Sequence, residues 1–168
     1  MSVASIGSTH DVKAERIIER LQLVPHPEGG WYRELFRSGT RIAARQGERS
    51  AITTIYYLLE RGRFSRWHVV DADEIWHFYA GAPLELLAYD SRARALRRSV
   101  LGAPDTGHEP VGVIEADVWQ AARSLGDWSL VGCTVAPGFE FEGFRFVADL
   151  PGHRDHFRGG LEPFATLL

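Results

Sequence analysis

The stretch Phe64-Ser65-Arg66-Trp67-His68-Val69-Val70-Asp71-Ala72-Asp73-Glu74-Ile75-Trp76-His77-Phe78-Tyr79-Ala80-Gly81 brings a cation, an imidazole, a carboxylate and large aromatics into two adjoining runs of strand-forming residues. Strand alternation puts Phe64, Arg66 and His68 on one face of the first run, and Glu74, Trp76 and Phe78 on one face of the second, with His77 opposite. Charges inside a protein are tolerated mainly when paired, hydrogen-bonded or bound to a metal, so this cluster facing an interior is expected to be a site. In it His68 could take a proton from a carbon beside a carbonyl, with Glu74 fixing its tautomer and Tyr32 or Tyr56 donating from the other side. Trp76 and Phe78 could stack on a sugar ring or nucleobase, Arg66 could hold a carboxylate or phosphate, and Gln120 could orient a hydroxyl. A plainer reading of the same residues is a buried Arg66–Glu74 ion pair with His68 hydrogen-bonded beside it, and Trp76 and Phe78 as core.

The elements that must position these residues are mostly strands. Ala14, Ile17, Ile18 and Leu21 fall at helical spacing, which predicts a helix over 11–22, with Ser8 and Asp11 as a capping pair and Pro25 as its stop. After His26-Pro27-Glu28-Gly29-Gly30, read first as a turn and second as a pocket mouth, the chain turns to short apolar runs punctuated by Gly, Pro and Asp. Strands are predicted at 31–36, 51–59, 64–69, 74–79, 84–89, 96–101, 111–114 and 128–135. So many strands in one domain predict a sandwich, barrel or jelly roll, with a C-terminal arm over 139–168 packed on it.

At 168 residues, 45% hydrophobic and 24% charged, the chain is sized and composed for a single globular domain, 1–168. Its net charge of −3 and pI near 6.2 favour neither nucleic acid nor an anionic membrane. The basic run Arg92, Arg94, Arg97 and Arg98 reads as a solvated hairpin. Cys133 is the single cysteine, inside an apolar run, which excludes an internal disulfide and predicts a buried small hydrophobe in a cytoplasmic protein. No stretch is apolar enough for a membrane span, and no glycine-rich phosphate loop or Gly-x-Ser-x-Gly elbow is present. His153-x-x-His156 reads as a solvated surface pair.

The central stretch resembles the cupin superfamily. In its first motif (Gly, five residues, His-x-His, three or four residues, Glu, six residues, Gly), Arg66 stands at the first His, His68 at the second, Glu74 at the Glu and Gly81 at the last Gly. In its second motif, Glu115 to Gln120 places Gln120 at the His position. A longer likeness joins the chain to a cupin group catalogued as a domain of unknown function, carried by His26-Pro27-Glu28-Gly29-Gly30-Trp31-Tyr32, Asp73 to Gly81, Trp119-Gln120-Ala121-Ala122 and Val135-Ala136-Pro137-Gly138-Phe139. The resemblance implies an all-β, cupin-type jelly-roll β-barrel (about 31–136) behind an N-terminal α-helix, a central small-molecule pocket and a homodimer. It implies no particular reaction.

The usual cupin site offers three imidazoles and a carboxylate to Fe, Mn, Ni or Zn. Here the candidate ligands are His68, Glu74 and the Gln120 amide oxygen, beside a guanidinium that repels metal ions. The expectation is therefore a small-molecule-binding protein in which no metal is required. The favoured activity is that of an isomerase or epimerase of a sugar or nucleotide-sugar-like ligand, using His68, Glu74 and Arg66 as catalytic residues and Trp76, Phe78, Gln120, Tyr32 and Tyr56 for binding. A non-catalytic binding module and a metal-dependent oxygenase are the alternatives.

Overall fold

The structure, a computed structural model, describes residues 13–152 and 166–167. Helix α1 (Ala14–Leu21) ends at Gln22, whose left-handed conformation turns its N–H back onto the last carbonyls. Ser8, Asp11 and His153-x-x-His156 lie outside the described residues, as does most of the expected C-terminal arm.

The strands are β1 (Val24–Pro25), β2 (Trp31–Arg37), β3 (Arg41–Ala44), β4 (Gly47–Ser50), β5 (Thr53–Glu60), β6 (Phe64–Val70), β7 (Asp73–Gly81), β8 (Leu84–Asp90), β9 (Ala95–Leu101), β10 (Val111–Ile114), β11 (Trp119–Ser124), β12 (Trp128–Ala136) and β13 (Phe144–Phe146). They form two antiparallel sheets, ordered β1-β2-β5-β12-β7-β10 and β13-β6-β11-β8-β9, with β3-β4 as a separate hairpin. The architecture is an all-β jelly roll whose two sheets face each other without a continuous ladder closing them. All eight predicted strands are present. Strand β11 was not foreseen because Gln120, Ala121 and Ala122 carry no β-branched signal; their small or slender side chains suit a central strand squeezed between β6 and β8.

Alternation along β5, β7 and β12 sends Tyr57, Leu59, Trp76, Val131 and Cys133 inward, where they meet Leu84, Leu86, Ala88, Leu101 and Ala122 of the other sheet. This core fills one half of the space between the sheets. The outer face of the first sheet is covered by α1, whose Ala14, Ile17, Ile18 and Leu21 pack with Leu23 on Leu58, Tyr56 and Leu130. The helix thus buries the stripe that its sequence announced.

Beside this core a cavity stays open, with the segment after β12 along its rim. The segment after β12 runs across that end through Phe139 and Phe141 to β13, which pairs with β6. It is pinned by Arg49, which donates to Asp71 at 2.6 Å and reaches the Gly138 carbonyl, with the Arg49 and Asp71 side chains both less than a tenth exposed. Gly143 lies against Asp71 so closely that a Cβ there would collide with the carboxylate.

The Arg92–Arg98 region is the expected hairpin: Asp90 accepts the N–H groups of Arg92 and Ala93 across the turn, and Arg97 and Arg98 pair with Glu115 and Glu85. Among the described residues no helix is long and apolar enough to cross a membrane.

Candidate functional site

A cavity of about 100 Å³ occupies the open half of the barrel, several times the roughly 10–15 Å³ that admits one water. Its floor and walls carry His26, Glu28, His68, Glu74 and Cys133 among Tyr32, Ile55, Val70 and Val135, and its mouth carries Glu34, Arg37, Phe139, Glu140, Phe141 and Phe144. Of the residues expected at the site, His68, Glu74 and Tyr32 line it.

The pairing of β6 with β11 explains why His68 lines the cavity and Arg66 does not. Gln120 stands opposite His68 but Ala122 stands opposite Ser65, so β6 spends one extra residue at a bulge between Ser65 and His68. The bulge resets the alternation: Ser65 and His68 both turn inward, while Trp67 enters a second cluster with Leu87 and Ala121 behind the sheet. Arg66 is displaced from the inner face. Its guanidinium donates to the Pro27 carbonyl at 2.7 Å and lies 4.2 Å from the Phe146 ring centre, in an outer depression behind the His26–Gly30 turn. The expected Arg66–Glu74 pair is not formed, and among the described residues no guanidinium reaches the cavity floor.

The partner of His68 is instead Glu28. The turn that delivers it closes with hydrogen bonds from His26 N to Gly30 O and from Gly29 N to His26 O, and is tied down by the Tyr57 hydroxyl donating to Gly29 O at 2.8 Å. Gly29 and Gly30 adopt φ of +114° and +66°, and a Cβ on either would strike the Phe64 or Leu58 carbonyl. The glycines therefore let the turn press its glutamate into the barrel. His68 Nδ1 lies 2.7 Å from the Arg66 carbonyl oxygen and 2.9 Å from Glu28 Oε2. Both neighbours only accept, so Nδ1 carries the proton and Nε2 is left with its lone pair, free of any hydrogen bond from the described residues. The Phe144 ring stacks on the imidazole, with centroids 5.1 Å apart.

These contacts set the protonation states. For His68, burial works against the charged form, but the charge and hydrogen bond of Glu28, aided by Glu74, leave its pKa raised above 6.5. For Glu28, burial is outweighed by His68, with help from His26 and Ser65, and the carboxyl stays below the usual range. His26 is lowered, mainly by burial, and its Nδ1 accepts the Glu28 N–H, so it sits in the floor as a neutral ring. Glu74 is pushed up to about 7 by burial, which the nearby His68 only partly offsets.

Gln120 holds Glu74 rather than facing the cavity. Trp76 Nε1 can only donate, and it donates to Gln120 Oε1 at 3.0 Å; this turns Gln120 Nε2 toward Glu74 Oε2, 2.6 Å away. Trp76 is itself core. Phe78 packs against that core, and Tyr56 faces outward against Tyr79. None of Gln120, Trp76, Phe78 and Tyr56 lines the cavity.

The donor set does not fit the three-imidazole metal site that the resemblance implies. Arg66 lies outside, Gln120 has its oxygen committed to Trp76, and Cys133 is a buried thiol whose pKa burial raises well above its ordinary value. Among the described residues no group of three or more His, Cys, Asp or Glu is placed to hold a metal ion.

Sequence reasoning missed Glu28 as the ionic partner and Arg37, Glu34 and Glu140 at the mouth. Two consecutive glycines after a glutamate were a signal for the first; the mouth residues meet only through the fold.

A hypothetical protein from Leishmania major is 34% identical to this chain, with a TM-score of 0.73, the match covering 80% of this chain and 86% of that one. A protein from Shewanella oneidensis is also 34% identical, with a TM-score of 0.73 over 80% of this chain and 84% of its own. A dTDP sugar isomerase from Desulfovibrio desulfuricans is 13% identical, with a TM-score of 0.54 over 77% of this chain and 90% of that one, a likeness of fold alone. No curated protein matches the sequence. The sequence pattern of the Cupin superfamily (DUF985), a domain of unknown function, matches residues 15–147, nearly the whole of the helix and jelly roll described above. The chain belongs to that family.

Proposed function

We propose that the protein is an isomerase or epimerase of a small sugar-like molecule, working by proton transfer without a required metal. The observation that carries this reading is His68, held at Nδ1 by Glu28 and the Arg66 carbonyl and lining one cavity together with Glu74, whose pKa is about 7. A buried carboxyl pushed up to about 7 and an imidazole in the same cavity can pass one proton in each direction. His68 Nε2 takes the proton from the carbon beside the ligand's carbonyl, breaking C–H and forming N–H. The Glu74 carboxyl, or Tyr32, donates its proton to the carbonyl oxygen. Delivery of a proton to the neighbouring carbon, or to the other face of the same carbon, while an enediol O–H gives its proton back to the Glu74 carboxylate and C=O re-forms, completes the isomerisation or epimerisation. The shared fold with a sugar isomerase supports the ligand class.

The test is proton exchange in deuterated water. The protein is incubated with a panel of aldoses and ketoses, and loss of the signal from the proton beside the carbonyl is followed by NMR. Exchange in the parent, reduced on the order of a hundredfold in His68→Gln, is the expected result. A sugar that binds without exchanging would favour the non-catalytic binding module.

The protein is further proposed to work as a cytoplasmic homodimer. Val111 and Val113 on the edge strand β10 and Tyr79 beside them are about half exposed, an apolar strip that a second copy would cover. Sedimentation at several concentrations tests it.

A further inference from the structure

The glycine turn is held at three successive carbonyls. Gly29 O accepts the Tyr57 hydroxyl at 2.8 Å. The two carbonyls before it both go to Arg66: its backbone N–H donates to Glu28 O at 3.0 Å, and its guanidinium donates to Pro27 O at 2.7 Å. The remaining polar group of the same residue, the Arg66 carbonyl, lies 2.7 Å from His68 Nδ1. One residue whose side chain lies outside the cavity thus reaches both members of the pair inside it, Glu28 through the backbone that carries it and His68 through its ring nitrogen.

The bulge in β6 makes this possible. Between Ser65 and His68 the strand leaves its ladder with β11, and the main-chain groups of Arg66 are directed to the turn and to the imidazole. The guanidinium is braced 4.2 Å from the Phe146 ring centre, and Phe146 is the residue that β13 pairs with His68. The turn in its place lies flush on β6, with Gly29 so near the Phe64 carbonyl that a Cβ would collide. The ionisable groups that act on or are acted on by His68 are Glu28 and His26 of the turn and Glu74 of β7, while Phe144 of β13 covers its ring face. Of these Glu28 stands 2.9 Å from Nδ1, and an ionic contact weakens as its distance grows.

We infer that Arg66 is a positioning residue: from behind the turn it holds the Glu28 carboxylate against His68, and so fixes the base of the proton transfer proposed above. The role of base rests on that reading, and the clamp on the geometry alone. The cation expected inside the cavity has its task outside it.

NMR titration of the His68 ring in Arg66→Met tests the clamp, since methionine keeps an apolar stem against Phe146 and removes the donor to Pro27. The midpoint is expected to move down by much of the shift that Glu28→Gln produces, because the carboxylate is no longer held at the ring. Loss of a nearby cation would by itself move the midpoint up, so the sign separates positioning from charge. Arg66→Lys keeps the charge with a shorter reach. A smaller downward shift is expected there, and this variant decides the matter if Arg66→Met does not fold. In a Glu28→Gln background Arg66→Met should add nothing, as befits a residue that acts through Glu28. An unmoved or raised midpoint in either single variant, or an undiminished shift in the Glu28→Gln background, overturns the assignment. None of these readouts needs turnover. Deuterium exchange absent from the parent would remove the isomerase reading and leave the clamp standing, while unmoved titrations beside normal exchange would remove the clamp alone.

Discussion

His68 Nδ1 and Glu28 Oε2 stand 2.9 Å apart in the floor of the cavity, the first from a bulged strand and the second from a glycine turn 40 residues earlier in the chain. Because Glu28 is the main influence raising the imidazole, Glu28→Gln should move the His68 titration downward, and with it the pH at which any deuterium exchange is half-maximal. NMR titration of the His68 ring reads this directly. An unchanged titration would mean that Glu28 does not set the base.

Stability should follow these titrations with a definite sign. Glu74 is raised from 4.5 to about 7, so its contribution is complete below about 4.5 and is lost as pH rises through about 7, on the order of 3 kcal/mol for a shift of that size. Glu28 is lowered, so its pairing with His68 contributes above 4.5 and is lost as pH falls through the lowered value. The raised His68 contributes fully below 6.5 and is lost as pH rises above it. Urea unfolding between pH 4 and 9 should show a maximum on the acid side of neutrality. Glu74→Gln should flatten its alkaline limb, and an alkaline limb of the same steepness in that variant would count against the burial of an ionisable Glu74.

Gln120 is argued to be a bridge, not a ligand-binding group. Gln120→Leu leaves the Trp76 N–H and the Glu74 carboxyl without their partner, a loss of about 2–4 kcal/mol. Gln120→His would set an imidazole opposite His68 and beside Glu74, so calorimetry should show tighter binding of nickel or zinc. Arg66→His should not change metal binding, since that side chain lies behind the turn. Tighter metal binding in Arg66→His would show that the bulge does not turn residue 66 away.

The rim depends on Arg49 and Asp71. Asp71→Ala strands a guanidinium whose residue is only 5% exposed, which should cost roughly 3–5 kcal/mol. Gly143→Ala should push Asp71 off Arg49 and lower the melting temperature in the same direction. A melting temperature unchanged by both substitutions would show that the rim segment is not anchored there.

The sequence by itself determined the helix and eight of the strands, and singled out His68 and Glu74 as candidates. Helical spacing from Ala14 to Leu21, period-two runs of β-branched and aromatic residues, and Gly and Pro punctuation are local signals, and the structure places a helix and strands where they occur. His68 and Glu74 were legible because a buried imidazole and a buried carboxylate in neighbouring strands are costly unless used. What only the tertiary structure decided was which side chains share the cavity. One extra residue in β6 reverses the facing of everything before it, and no local preference in Ser65-Arg66-Trp67 announces that. Glu28 reaches His68, and Arg37 reaches Glu140, through contacts 40 and 103 residues apart, closed by the packing of two sheets and a rim. Alternation predicts a face only while the ladder stays in step, and long-range pairing is set by the whole fold's burial rather than by any short stretch of sequence.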